Sequence, residues 1–255
     1  MKKLLLMGAF ALGCISASAQ QNLTLSTYKG TDISKYAGKR MNVTVNRYIF
    51  KGWNTISLPV SMTEAEVNEA FGSDCKLEKL VGVENDGMTV KLNFQNCKSE
   101  GIKANTPYIL HYMGESGSKK FVAQNAEVSD DESAITFTAE GTGETVTMAA
   151  ARMQTGAEGL YGILAKDNAE ASFVNVNDIS NGFYATRCYV KLSGGNTTLL
   201  STNHIDEGEV ASISSIAKAN ERVEVYNLSG VKVADNVKGL KKGIYVVKGK
   251  TVMVK

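Results

Sequence analysis

Histidine, proline and tryptophan are scarce in this chain: two, two and one among 255 residues. No HExxH, CxxC or Gly-x-Ser-x-Gly occurs, so the familiar zinc-hydrolase, dithiol and nucleophile-elbow chemistries have no residues to run on. The Gly-rich turns lack the Walker lysine spacing and a following helix, which removes phosphate cradling. Beyond the first residues no apolar run is long enough to cross a bilayer. Pro59 and Pro107 sit at a strand end and a strand start, where a missing N–H costs least. Net charge of one sign is missing too. The 28 Lys plus Arg include two in an N-terminal segment without acids, so removing that segment balances the 26 Asp plus Glu and leaves no global field for nucleic acid.

That N-terminal segment, residues 1–19, reads as an export signal. Lys2 and Lys3 form the positive region, Leu4 to Leu12 the apolar run, and Ala17-Ser18-Ala19 the small residues of a peptidase site, with Gln20 the first mature residue. Gly13-Cys14 raises a lipid-attached cysteine as the lesser alternative. The remaining chain is long enough to bury roughly 70% of its unfolded surface, so disulfides are optional. A bridge between Cys75 and Cys97 is chemically allowed outside the cytoplasm, with Cys188 left over; three buried free thiols are the other reading.

Period-two alternation dominates from Leu23 onward. Asn42 to Phe50, Thr55 to Val60, Thr89 to Phe94, Tyr108 to Met113, Ala134 to Thr138 and Phe183 to Leu192 all read as strands, separated by Gly/Asn/Asp turns. One helix is expected, opened by the capping box Thr63-Glu-Ala-Glu66, carrying Val67, Ala70 and Phe71 on one face and stopped at Gly72. Many strands and one short helix predict an all-β fold: an antiparallel β-sandwich over residues 42–200 after a lead-in at 20–41. The polar stretch 201–221 reads as a linker, and residues 222–255 as a small tail of two hairpins turning at Ser229-Gly230 and Lys248-Gly249. Seven lysines against Asp235 from Lys232 to Lys255 make that tail the positive end.

Two strings carry a resemblance. Lys51-Gly-Trp-Asn-Thr-Ile-Ser-Leu-Pro-Val60, the capped helix, Leu92-Asn-Phe94, Ile102 to Leu110 and Thr186 to Leu192 resemble an uncharacterised, adhesion-like β-module of secreted and surface proteins from gut and oral bacteria. Val225-Tyr226-Asn-Leu-Ser-Gly230-Val-Lys-Val233, Gly243-Ile-Tyr245-Val-Val247 and the final Lys255 are similar to the last third of the C-terminal sorting domain of the type IX secretion system. The first resemblance implies an address at the cell surface, at the outer membrane or outside the cell. The second implies recognition by secretion machinery through Tyr226, Gly230, Gly243, Tyr245 and Lys255.

No catalytic, cofactor or metal residues emerge. His111 on a strand and His204 in the linker read as packed or solvated, and Asp130-Asp131-Glu132 as a solvated turn, because contiguous acids lack a calcium loop's alternating spacing. Trp53 and Tyr108 are expected in the core. Tyr112, Tyr161 and Tyr184 are the candidate ligand-binding aromatics, since tyrosine offers a ring face and a hydroxyl. The expectation is an exported, non-catalytic binding or adhesion protein whose partner is a glycan or a surface or host protein. A stalk pairing with partner proteins is the alternative, and a glycan-active enzyme the third.

Overall fold

The computed structural model describes residues 21–26, 28, 30–85, 88–140, 142–152, 156, 158–163, 172–176, 183–195, 199–207, 224–234, 240, 243–247 and 250–254. The export signal with Cys14, the whole stretch 208–223 and Lys255 lie outside them. In chain order come β1 (Asn22–Ser26), β2 (Arg40–Ile49), β3 (Gly52–Ile56), α1 (Glu64–Phe71), β4 (Lys76–Asn85), β5 (Thr89–Asn96), β6 (Tyr108–Tyr112) and β7 (Gly117–Glu127). There follow β8 (Ala134–Thr138), β9 (Thr145–Ala151), β10 (Leu160–Ile163), β11 (Phe173–Asn175), β12 (Arg187–Ser193) and β13 (Leu199–Ile205), then the tail strands β14 (Val225–Asn227), β15 (Lys232–Ala234), β16 (Gly243–Val247) and β17 (Lys250–Val254).

The body is all-β and sandwich-like, built on a central sheet ordered β13-β5-β4-β6-β3. Side chains alternate across its strands, and both faces are apolar. Ile56, Leu77, Leu110 and Tyr108 point into one core with Val43 and Val45 of β2, Phe121 of β7, and Val67 and Phe71 of α1. Trp53, Leu80, Phe94 and Ile109 point into a second core with Val146 and Met148 of β9, Tyr161 of β10 and Val190 of β12. The outer layers are the sheets β1-β2-β7 and β11-β10-β12-β9-β8. All five residues of β3 are buried, the signature of a strand covered on both faces.

Two features depart from a purely antiparallel sandwich. β1 runs parallel to β2, and β13 runs parallel to β5 in the register Leu199↔Thr89 to Ile205↔Gln95. The first five residues of the linker expected at 201–221 therefore belong to the body, where they complete the edge of the central sheet; residues 208–221 lie outside the described residues. Leu-Leu-Ser-Thr-Asn-His-Ile does not alternate cleanly, so its strand character rests on backbone pairing with β5 rather than on one apolar face.

Of the two cysteine readings the structure has the second: the possible Cys75–Cys97 bridge is not formed, and Cys75, Cys97 and Cys188 are buried free thiols. Cys97 N–H donates to the Leu77 carbonyl at 2.8 Å, which sets Cys97 opposite Leu77 and diagonal to Cys75. Diagonal neighbours lie about 7–8 Å apart, beyond the reach of ordinary disulfide geometry. Burial pushes the Cys97 and Cys188 thiols up to about 12, so neither is poised as a nucleophile.

The helix starts where the sequence reads. Thr63 Oγ1 accepts from Glu66 N at 3.3 Å, and Glu66 Oε2 accepts from Thr63 N at 2.8 Å. Glu66 Oε1 also accepts from Gln124 N of β7 at 2.8 Å, so one carboxylate caps the helix and ties it to the outer sheet. Burial raises the Glu66 pKa, but the N–H groups of Gln124 and Thr63 and the Thr63 hydroxyl outweigh it and hold the carboxyl below its ordinary range.

The tail strands form a separate sheet ordered β15-β14-β16-β17, two hairpins joined by β14–β16 pairing. Asn227 Oδ1 accepts from Ser229 N and Val231 N, and Gly230 at φ +76° supplies the left-handed turn residue. Tyr226 donates its hydroxyl to Glu224 at 2.7 Å, and Gly243 sits beside the Tyr245 ring, where an added Cβ would lie 3.4 Å from it. Among the described residues no helix is long and apolar enough to cross a membrane.

Replacing Glu66 by Ala should lower stability by about 1–2 kcal/mol in urea unfolding, since it removes a cap and an interlayer anchor. Because the folded carboxyl is depressed, its stabilisation is complete above the unfolded pKa and fades as pH falls through the folded one. Thermal melts between about pH 5 and pH 3 should therefore fall less steeply for Glu66→Gln than for the parent chain, the unfolded carboxyl titrating near pH 4.

Candidate functional site

A cleft of about 370 Å³, open mouth included, is lined by residues from all three layers. β1 and the segment after it bring Leu25, Ser26, Thr31 and Ile33; the chain leaving β3 brings Ser57, Leu58 and Pro59; Asn105 comes from the approach to β6. The third layer adds Ala150, Ala151 and Arg152 at the end of β9, and Ala185 and Thr186 before β12.

Two lining residues hold left-handed backbone, which asparagine tolerates and a β-branched threonine disfavours. Thr186, β-branched, has φ +69°, and Asn105 has φ +60°. Hydrogen bonds over-determine both. Thr186 N donates to Ala151 O at 3.0 Å, and Thr186 O accepts from Ser57 N at 3.1 Å and from Arg47 Nη1 at 2.7 Å. Asn105 N donates to Leu58 O at 2.5 Å, while its Nδ2 donates to the carbonyl and hydroxyl of Ser129 at 3.0 Å. Strain of this kind gathers where a surface is built for binding.

Behind the Thr186 wall lies positive charge. Arg47 occupies the inward face of β2 with Met41, Val43, Val45 and Ile49, and is 2% exposed. Its second nitrogen, Nη2, donates to Thr55 O at 3.0 Å, and its Nε has no partner. Arg187 reaches the Tyr48 carbonyl at 3.4 Å. Burial, and then Arg187, pull the Arg47 pKa well below its ordinary value; burial lowers that of Arg187 as well. Arg152, in the cleft itself, donates through Nη1 to the Asp130 carbonyl, and its Nη2 is buried without a partner. No carboxylate among the described residues makes an ion pair with any of the three.

The tyrosines singled out from sequence do not converge. Tyr112 is buried in the first core with Lys119 Nζ 5.1 Å from its ring centroid, whereas Tyr161 is buried in the second core. Tyr184 is half-buried, packs edge-on against Tyr28 at 5.3 Å, and immediately precedes the cleft residues Ala185 and Thr186.

A second polar cluster lies on the central sheet. Glu78, 1% exposed at its side chain, meets His204 Nδ1 at 2.6 Å, and that imidazole stacks on Trp53 at 4.3 Å, with His111 on the tryptophan at 4.7 Å. Glu78 Oε1 and His204 Nε2 are buried without partners. Burial raises the Glu78 pKa and His204 opposes that rise. The dyad pins edge strand β13 onto β4 across β5. No group of three or more His, Cys, Asp or Glu able to hold a metal ion occurs among the described residues.

Sequence reasoning missed Arg47, Arg152, Arg187, Glu78 and Thr186. For Arg47 a signal existed, since a charged residue stands at an inward position of an otherwise apolar alternation. Thr186 gave none, because a positive φ at threonine leaves no trace in composition. No protein-family model matches this chain, and neither a curated protein nor a solved structure does.

His204→Ala should destabilise by about 3–5 kcal/mol, because it leaves the Glu78 carboxylate buried and alone. Glu78→Leu combined with His204→Leu should cost clearly less. Urea unfolding followed through Trp53, the sole tryptophan, checks the difference.

Proposed function

We propose that this chain is an exported, surface-associated, non-catalytic binding module whose cleft receives a small polar ligand, with the C-terminal sheet as a sorting or attachment element. The cleft carries the reading. Its walls combine hydroxyls, an amide and a guanidinium with the apolar side chains of Leu25, Ile33, Leu58 and Pro59, and one of its residues, Thr186, is held in strained backbone. This mixture suits a ligand with C–H faces and hydroxyl groups, such as a glycan. Catalysis finds less support, since the cysteines are buried with raised thiol pKa values and the Glu78–His204 dyad is packed beneath Trp53.

Support for the tail's role is the similarity of Tyr226, Gly230, Gly243 and Tyr245 to a sorting motif, together with exposed apolar side chains at Leu228, Val231, Val233 and Ile244. A blank result from a glycan-array and host-matrix screen of the mature protein would remove the binding reading. Deleting residues 222–255 should shift the protein from the cell surface to the periplasm in fractionated cells; unchanged surface display would sink the sorting role.

A further inference from the structure

We propose that this chain self-associates by edge pairing, β17 of one copy's tail sheet lying along β8 of another copy's body. Among the described residues β8 pairs only with β9 and β17 only with β16, so both are open sheet edges and neither lies along the other within one chain. An open edge offers a row of N–H and C=O groups to any strand that fits, and proteins normally blunt it with charge, proline, a bulge or brevity. Several edges here are blunted in those ways. β3 is wholly buried, β7 carries Lys119 and Lys120 and shifts register against β2, and β11 and β15 have three residues each. By contrast, β8 (Ala-Ile-Thr-Phe-Thr) and β17 from Thr251 (Thr-Val-Met-Val) contain no charge, glycine or proline, and neither shifts register against its neighbour.

The β8 edge is held in place on both faces. Ile135 and Phe137 pack on the second core, and the hydroxyls of Thr136 and Thr138 bond those of Thr147 and Thr145 at 3.1 Å. A strand already fixed in its paired conformation loses little entropy when another joins it. Charge at the strand ends chooses the partner. Asp130, Asp131 and Glu132 precede β8 and Glu140 follows it, all four exposed and without an ion pair among the described residues. Two copies of β8 side by side would set acid against acid in either direction, which disfavours that dimer. In sequence β17 has the opposite flanks, Lys248 and Lys250 at its start and Lys255 at its end. Laid parallel to β8, it sets two lysines against three acids and one lysine against one. The wider balance agrees: residues 222–255 hold eight Lys plus Arg and two acids, and the export signal two and none, which leaves 18 against 24 in the body. Because the two surfaces differ, copies join reciprocally into a closed pair or run on head to tail.

The test is sedimentation velocity of the whole mature protein from about 10 µM to about 500 µM, since an interface of five-residue strands is small and fills only at high concentration. In low salt the weight-average mass should climb to about twice that of one chain or more, and it should fall back at about 1 M NaCl, where screening reaches about 3 Å. Asp131→Lys combined with Glu132→Lys should sediment as a monomer throughout, and so should Lys250→Glu combined with Lys255→Glu. An equimolar mixture of the two variants should associate again, because each supplies the charge the other lacks. Asp131 and Glu132 are exposed, so their double variant should melt near the parent's temperature. A monomer at every concentration overturns the proposal. Association that either charge reversal leaves unchanged overturns it too, by placing the contact on another surface, and so does a mixture of the two folded variants that stays monomeric.

Discussion

Strands β3, β4 and β6 have no face to spare. Each sends alternate side chains into opposite cores, so the central sheet is the common wall of both and its register fixes both packings together. A slip of one residue would exchange Ile56, Leu77 and Leu110 for Thr55, Glu78 and Ile109. The outer layers are each anchored to this sheet by apolar contact, and polar ties reinforce the joints. Arg47 of β2 reaches the Thr55 carbonyl of β3, the Thr55 hydroxyl accepts from Cys188 N of β12, and Thr186 O gathers Arg47 and Ser57. The cleft exists because the three layers meet around these ties.

Much of this was legible in the residues. The capping box at Thr63–Glu66 specifies its own geometry within four positions, and the alternation of β2 gives its buried face directly. Trp53 entered the core as its strand-entry position suggested. Long-range choices were not legible. β13 runs parallel beside β5, more than a hundred residues earlier, and only backbone pairing recruits its mixed side chains. The Glu78–His204 contact follows from that pairing, so an acid and an imidazole 126 positions apart carried no local mark.

Candidate site residues were harder still. Aromatic rings in alternating strands fill cores first, and Tyr112 and Tyr161 did so. The polar lining of the cleft depends on where chain ends and turns converge, which neither periodicity nor composition encodes. Charge shows the same contrast: near-balance of acids and bases in the sequence gives no hint that, among the described residues, Arg47, Arg152 and Arg187 pair with no carboxylate.

The parallel edge strand also orders events in time. The central sheet is complete only when residues 199–205 lie against β5, so contacts from the end of the body close a structure begun by its start. Loop closure over such a span is slow, and until it happens β5 presents an open edge. A chain emerging N-terminus first from any channel would thus hold its second core unfinished until residue 205 was out. Whatever escorts it before that point would have to cover that edge.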